Sequence, residues 1–71
     1  MEELNIGLAD ILEVDSVNDM DLLESFDEWD SLARLSLLAL IDEKFNINLF
    51  QPDIENAKTL ADIKEIIKSK Q

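Results

Sequence analysis

The stretch that decides the fold runs from Asp30 to Phe45 and reads DSLARLSLLALIDEKF. Asp30 and Ser31 are residue types that cap the N-terminus of an α-helix, so the pattern predicts a helix over residues 31–45. Its apolar residues are too numerous for a single buried stripe. The face that we predict to lie in the core carries Leu37, Leu38, Ile41 and Phe45.

A second face of this helix carries Leu32, Leu35 and Ala39 at helical spacing. In so small a domain the two faces cannot both be buried equally. Either short neighbouring elements cover the second face, or it is a docking surface near the start of the helix, since an apolar patch beside polar residues often marks a contact site. The sequence leaves both interpretations open.

The N-terminal half of the chain predicts one helix followed by one long loop. The helix covers about residues 2–13, although Gly7 lies inside it at a cost of about 1 kcal/mol relative to Ala. Residues 15–30 are mostly polar and predict a loop, in which Leu22, Leu23 and Phe26 could form one helical turn. The apolar stripe of the helix consists of Leu4, Leu8, Ile11 and Leu12.

Two further helices are predicted near the C-terminus. Pro52 suits a first helical turn and predicts a short helix over about residues 53–57. Thr59 and Asp62 form a candidate capping box for a helix over about residues 60–69. The fold class is therefore all-α, a small four-helix bundle of three longer helices and one short helix in a single domain over residues 1–71. The buried stripe of the last helix is Leu60, Ile63, Ile66 and Ile67.

Composition excludes several classes of function. The chain has no Cys, His or Tyr, so it lacks a thiol or imidazole nucleophile and the usual zinc ligands, and we predict that it is not an enzyme. An EF-hand beginning at Asp19 fails because its required Gly is missing, and no metal site is predicted. No apolar run is long enough to span a membrane and no basic segment precedes an apolar stretch, so we expect a cytoplasmic protein.

The negative charge is concentrated in the first half of the chain. The formal net charge is −11, and the first 33 residues hold 11 acids and no base, whereas acids and bases balance in the remainder. Such a field repels nucleic acid and anionic lipid, and it favours partners that have basic surfaces.

The loop delivers the Ser31 hydroxyl to a helix N-terminus, where unpaired N–H groups and the helix dipole favour an attached phosphate by about 0.3–1 kcal/mol. Here the chain resembles the acyl carrier proteins and their aminoacyl or peptidyl carrier relatives. Asp30-Ser31-Leu32 resembles their Asp-Ser-Leu attachment motif, and the resemblance covers nearly the whole chain. The further similar features are the length of the helix after Ser31, Asn46-Ile-Asn-Leu49, Pro52, Asp53 and Thr59-Leu60.

The resemblance implies a bundle of acyl-carrier type and a carrier rather than a catalyst. A phosphopantetheinyl transferase would attach 4′-phosphopantetheine from coenzyme A to Ser31, and the thiol of that arm would hold the cargo as a thioester. Further partners of this monomer would be an acyl- or aminoacyl-loading ligase and a downstream transferase or synthase. Asp30 and Leu32 would complete the attachment site, with Asp30 helping to position the metal and basic groups of the transferase.

The resemblance also implies roles for other side chains. The positions that would meet partner enzymes are Leu32, Leu35, Ala39, Arg34, Asp27 and Glu28. The positions that would line an interior able to shelter an acyl chain are Leu37, Leu38, Ile41, Ile54 and Ile63.

Trp29 stands where the family commonly has a small residue. Ala33, Arg34 and Ser36 replace acidic or neutral polar positions of the carriers of fatty acid synthesis and leave the start of the helix short of negative charge. We therefore expect a free-standing acyl carrier of a specialised pathway, such as natural-product, lipid-modification or surface-polysaccharide synthesis. One alternative is an aminoacyl or peptidyl carrier loaded by an adenylating enzyme. An alternative of another class is an unmodified acidic adaptor that binds a basic protein through Asp27, Glu28 and Asp30.

Overall fold

Helix α2 spans Ser31–Phe45 in the computed structural model, which describes residues 2–71. Its N-cap is Asp30, whose Oδ1 accepts the N–H of Ala33 at 2.9 Å. Of the two candidate cap residues, Asp30 and Ser31, the structure therefore has Asp30 as the N-cap. At the other end Asn46 adopts a left-handed φ of 56° and its N–H reaches the carbonyl of Asp42 at 3.0 Å. Both ends of the helix therefore lie where the sequence pattern predicts them.

Helix α1 spans Glu2–Ile11 and is shorter than the predicted range of 2–13, which is wrong at its C-terminal end. The N–H of Val14 bonds to the carbonyl of Ala9 at 3.0 Å, and the N–H of Glu13 bonds to that of Asp10 at 3.2 Å. This is the Schellman pattern, which needs a left-handed residue, and Glu13 supplies it with a φ of 57°. Because Gly usually takes this position, Glu13 gives no sequence signal for the helix end.

Helix α3 spans Gln51–Glu55, so the predicted range of 53–57 begins and ends two residues too late. Asp53 Oδ2 accepts the N–H of the N-cap residue Phe50 at 2.8 Å, while Pro52 lies in the first turn, where its missing N–H costs nothing. Helix α4 spans Leu60–Lys70, one residue longer than predicted, and Thr59 and Asp62 form the expected capping box at its start.

The segment between α1 and α2 is a loop that contains a 3₁₀ turn at Leu23–Ser25. The Leu23 side chain is fully buried, and its N–H bonds to the carbonyl of Lys58 at 2.8 Å. The N–H of Ala61 bonds to the carbonyl of Asp19 at 2.9 Å, so the loop is attached to the start of α4 at two points. The sequence raised the possibility of a turn here but not this attachment, which depends on residues far apart in the chain.

The four helices enclose one apolar core, and the all-α four-helix bundle is confirmed. No strand occurs in residues 2–71, where Leu22 and Thr59 form an isolated bridge only. Within α2, Leu38 and Phe45 are half-buried rather than fully buried as predicted. The largest fully buried side chains are Leu4, Leu8, Leu12, Leu23, Leu37, Ile41, Ile54, Leu60, Ile63 and Ile67.

Candidate functional site

The Ser31 side chain lies at the first residue of α2 and is exposed. The neighbouring Asp30 carboxylate already accepts the N–H of Ala33, so the serine hydroxyl is not needed as a cap. The loop from Trp29 to Asp30 leads into the helix with Asp30 in an extended conformation at φ −137° and ψ −168°. The serine side chain is therefore exposed, and the helix cap does not depend on its hydroxyl.

The Arg34 side chain contacts this hydroxyl. Arg34 Nη2 donates to Ser31 Oγ at 3.3 Å, one turn further along α2. The guanidinium carbon lies 5.9 Å from the centroid of the Trp29 ring, which is a cation–π distance. Arg34 Nε is a buried atom that has no hydrogen-bond partner within residues 2–71. Trp29, Ser31 and Arg34 thus form one side-chain cluster at the start of α2.

Acidic side chains surround this end of the molecule. Asp27, Glu28 and Asp30 are all exposed in the loop and cap that precede α2. The carboxylate of Glu13 raises the pKa of Glu28 above its ordinary value, with partial desolvation, a hydrogen bond to Glu13, and then Asp30 and Asp27 adding to the effect. Over residues 2–71, however, no three acidic side chains come together in a way that would hold a metal ion.

The second face of α2 is open. Leu32 is 73% exposed and Leu35 is 50% exposed, and Ala39 is also exposed. Neighbouring elements in residues 2–71 therefore leave much of this face uncovered, which disfavours the first of the two interpretations that the sequence left open. The face therefore presents apolar surface directly beside Ser31.

The candidate interior positions divide into two groups. Leu37, Ile41, Ile54 and Ile63 are fully buried in the core, whereas Leu38 is only half-buried. The four fully buried positions come from α2, α3 and α4 and belong to the packed core.

Comparisons with protein-family models, with curated proteins and with solved structures gave no match to this chain. In the part of the chain that the structure describes, each helix is too short or too polar to cross a lipid bilayer. What the site can do must therefore be inferred from its own geometry.

One feature of the site was missed by sequence reasoning, namely the contact between Arg34 and Ser31. The resemblance predicts a partner-docking role for Arg34, and in it Trp29 is only a departure from the family pattern. The available signal was the spacing of Ser31 and Arg34, because residues three apart are neighbours on a helix surface.

Proposed function

We propose that the protein is a carrier that holds an acyl group as a thioester on a 4′-phosphopantetheine arm attached to Ser31, in a specialised biosynthetic pathway of the cytoplasm. The observation that carries the proposal is the exposed Ser31 hydroxyl at the start of α2, which Asp30 leaves free by capping the helix in its place. The resemblance around Asp30-Ser31-Leu32 supplies the kind of modification.

The attachment is a phosphoryl transfer inside a separate transferase. Ser31 Oγ forms a bond to the phosphorus of coenzyme A that bears the pantetheine, and the pyrophosphate P–O bond breaks to release adenosine 3′,5′-bisphosphate. The hydroxyl proton passes to a base of the transferase. The attached arm supplies the thiol that this chain, which has no Cys, does not have. Asp30 directly precedes Ser31 in the chain, and the resemblance implies that its carboxylate helps to position the metal and basic groups of the transferase.

The exposed leucines fit the second task of a carrier, which is to present cargo to several enzymes in turn. Leu32 and Leu35 flank the attachment point on the open face of α2, and Asp27 and Glu28 add negative charge next to it. Acidic groups at the rim of an apolar patch accelerate encounter with basic partners and add less to final affinity.

The test is intact-mass measurement after incubation with coenzyme A and a broad-specificity phosphopantetheinyl transferase. We expect the chain to gain one phosphopantetheine group and Ser31→Ala to gain none. Because Asp30 provides the cap, Ser31→Ala keeps the fold, and its circular dichroism spectrum serves as the control. A wild-type chain that several transferases leave unmodified would contradict the proposal.

The cargo is tested separately on the modified protein. Incubation with fatty-acyl ligases and with adenylating aminoacyl ligases, followed by mass measurement, distinguishes an acyl carrier from an aminoacyl or peptidyl carrier. We expect acyl loading.

The open apolar face beside exposed acids also favours a second candidate function, an acidic adaptor that binds a basic protein without modification. In that case Ser31→Ala keeps full function in the cell, whereas neutralising Asp27, Glu28 and Asp30 abolishes it. If the protein is a carrier, Ser31→Ala is instead inactive in the cell.

A further inference from the structure

The charge of Arg34 is unusual for its place in the chain. It is the first base of the sequence, and 11 acids precede it. Despite this excess of carboxylates, Arg34 forms no salt bridge within residues 2–71, where an ion pair joins Lys64 to Asp19 instead. Its guanidinium is directed to a neutral hydroxyl, Ser31 Oγ. The charge of Arg34 therefore lacks a compensating anion at the atom that it contacts.

The guanidinium has two side-chain neighbours. The Trp29 ring centroid lies 5.9 Å from the guanidinium carbon, and Ser31 Oγ accepts from Nη2 at 3.3 Å. The backbone adds to this, because the N–H of Arg34 bonds to the carbonyl of the cap residue Asp30 at 3.0 Å. Trp29 and Arg34 are both half-buried, and the Arg34 guanidinium thus lies beside the Ser31 hydroxyl before any group is attached to that hydroxyl.

We propose that Arg34, positioned by Trp29, binds the phosphate group that is attached to Ser31 Oγ. The inference rests on the proposed function and extends it to the root of the arm. A planar guanidinium fork matches the geometry of phosphate oxygens, and its charge-assisted hydrogen bonds are stronger than the one it makes to a hydroxyl. Besides Nη2, the guanidinium has further N–H donors, of which Nε is buried and has no partner within residues 2–71.

This contact gives the attached phosphate a fixed neighbour in a region that otherwise repels it. Asp27, Glu28 and Asp30 all lie in the segment leading into α2, and each disfavours a further negative charge there. Arg34 offsets that repulsion locally and restrains the direction in which the arm leaves Ser31. The same contact explains how a chain of net charge −11 accommodates an anionic group at this end.

The test uses phosphoserine introduced at position 31 during translation, which places a phosphate on the same oxygen without any transferase. The second pKa of a phosphate monoester is about 6 and is measured by ³¹P NMR titration. A cation that contacts the phosphate favours the dianion, so we expect Arg34→Gln to raise this pKa by about 0.5 unit, the size typical of an exposed charge pair. Arg34→Lys should give a smaller rise, because it keeps the charge but not the fork.

The matched control is Lys44→Gln, which removes one positive charge from the same helix. Lys44 is exposed and lies ten residues further along α2, about 15 Å away along the helix axis, which exceeds the Debye length of about 8 Å at physiological salt. Equal pKa values in Arg34→Gln and Lys44→Gln would overturn the proposal. Far-UV circular dichroism checks that each variant is folded.

The two proposals fail separately. The mass experiment shows whether a transferase modifies Ser31, and the titration shows whether Arg34 contacts a phosphate on that oxygen. If the chain gains the arm but Arg34→Gln does not raise the pKa of the phosphate, the proposed carrier function stands and the proposed phosphate contact is refuted. If transferases leave the chain unmodified but Arg34→Gln raises the pKa of the phosphate, the proposed phosphate contact stands and the proposed carrier function is refuted.

Discussion

Asp30 and Ser31 are neighbours at the start of α2, and their side chains have different roles. The Asp30 carboxylate accepts the N–H of Ala33 and stabilises the helix, whereas the Ser31 hydroxyl accepts from Arg34 and its side chain is exposed. This division means that Ser31 can be modified without removing the cap. It also means that Asp30 has a structural role that can be separated from any role in recognition by partners.

We expect Asp30→Ala to lower the free energy of unfolding by about 1 kcal/mol, because the N–H of Ala33 loses its acceptor. Asp30→Asn should keep nearly full stability, since Asn caps as well as Asp does, and yet it removes the charge. Chemical denaturation measures stability, and the rate of phosphopantetheine attachment measures recognition. If Asp30→Asn is modified at the wild-type rate, the carboxylate has only its structural role.

At the scale of the elements, α1 and α2 cross closely because residue 7 is Gly. A methyl group at Gly7 would overlap Cδ2 of Leu40 and lie 3.1 Å from Cδ1 of the same residue. The sequence suggests only that Gly7 weakens α1 by about 1 kcal/mol relative to Ala. In the structure, the missing side chain of Gly7 allows the α1 backbone to contact Leu40, a half-buried residue of α2, directly.

We expect Gly7→Ala to destabilise the protein by about 1–2 kcal/mol, since overpacking exceeds the gain in helix propensity. In a Leu40→Ala background the same change should instead stabilise the protein by up to about 1 kcal/mol, because the clash is gone and the propensity remains. The four variants form a double-mutant cycle, measured by urea denaturation. An identical effect of Gly7→Ala in both backgrounds would show that contact with Leu40 is not the reason for the glycine.

At the scale of the whole molecule, the acidic N-terminal half folds against a half in which charges balance. Lys64 of α4 pairs with Asp19 of the loop at 2.6 Å and lowers the pKa of that carboxyl below its usual value. The opposite situation holds at Glu28, where the Glu13 carboxylate is the main cause of a raised pKa. The ion pair between Lys64 and Asp19 joins the two halves of the chain, whereas Glu13 and Glu28 repel each other within the acidic half.

We expect Glu28→Gln to raise the melting temperature at pH 7 and low ionic strength, because it removes the repulsion from Glu13. Added salt should reduce the difference from wild type by screening. The pKa of Glu28 is higher in the folded state than its ordinary value, so protonation removes the same repulsion as pH falls through that raised pKa. The advantage of the variant should therefore shrink on acidification.

The control for this prediction is Glu55→Gln, which removes an exposed acid from the half of the chain where charges balance. Melting curves of the three proteins across salt and pH measure the effect. Equal gains from Glu28→Gln and Glu55→Gln would assign the effect to net charge rather than to the contact between Glu13 and Glu28.

Features that depend on neighbours along the chain can be predicted from the amino-acid sequence. The cap residues Asp30 and Thr59, the helical periods and the charge of the first half are all local, and from them follow the all-α four-helix bundle and the placement of Ser31 at a helix start. Such features can be predicted because hydrogen bonds within a helix span only a few residues.

Features that join distant residues or depend on side-chain rotamers become visible in the folded structure alone. The bond from the Leu23 N–H to Lys58, the contact of Gly7 with Leu40 and the half-burial of Leu38 each depend on how elements pack, which no local pattern encodes. In the site, spacing placed Arg34 near Ser31, but the Trp29 ring decides where the guanidinium lies. The physical reason is that packing selects one arrangement among several that the backbone alone allows.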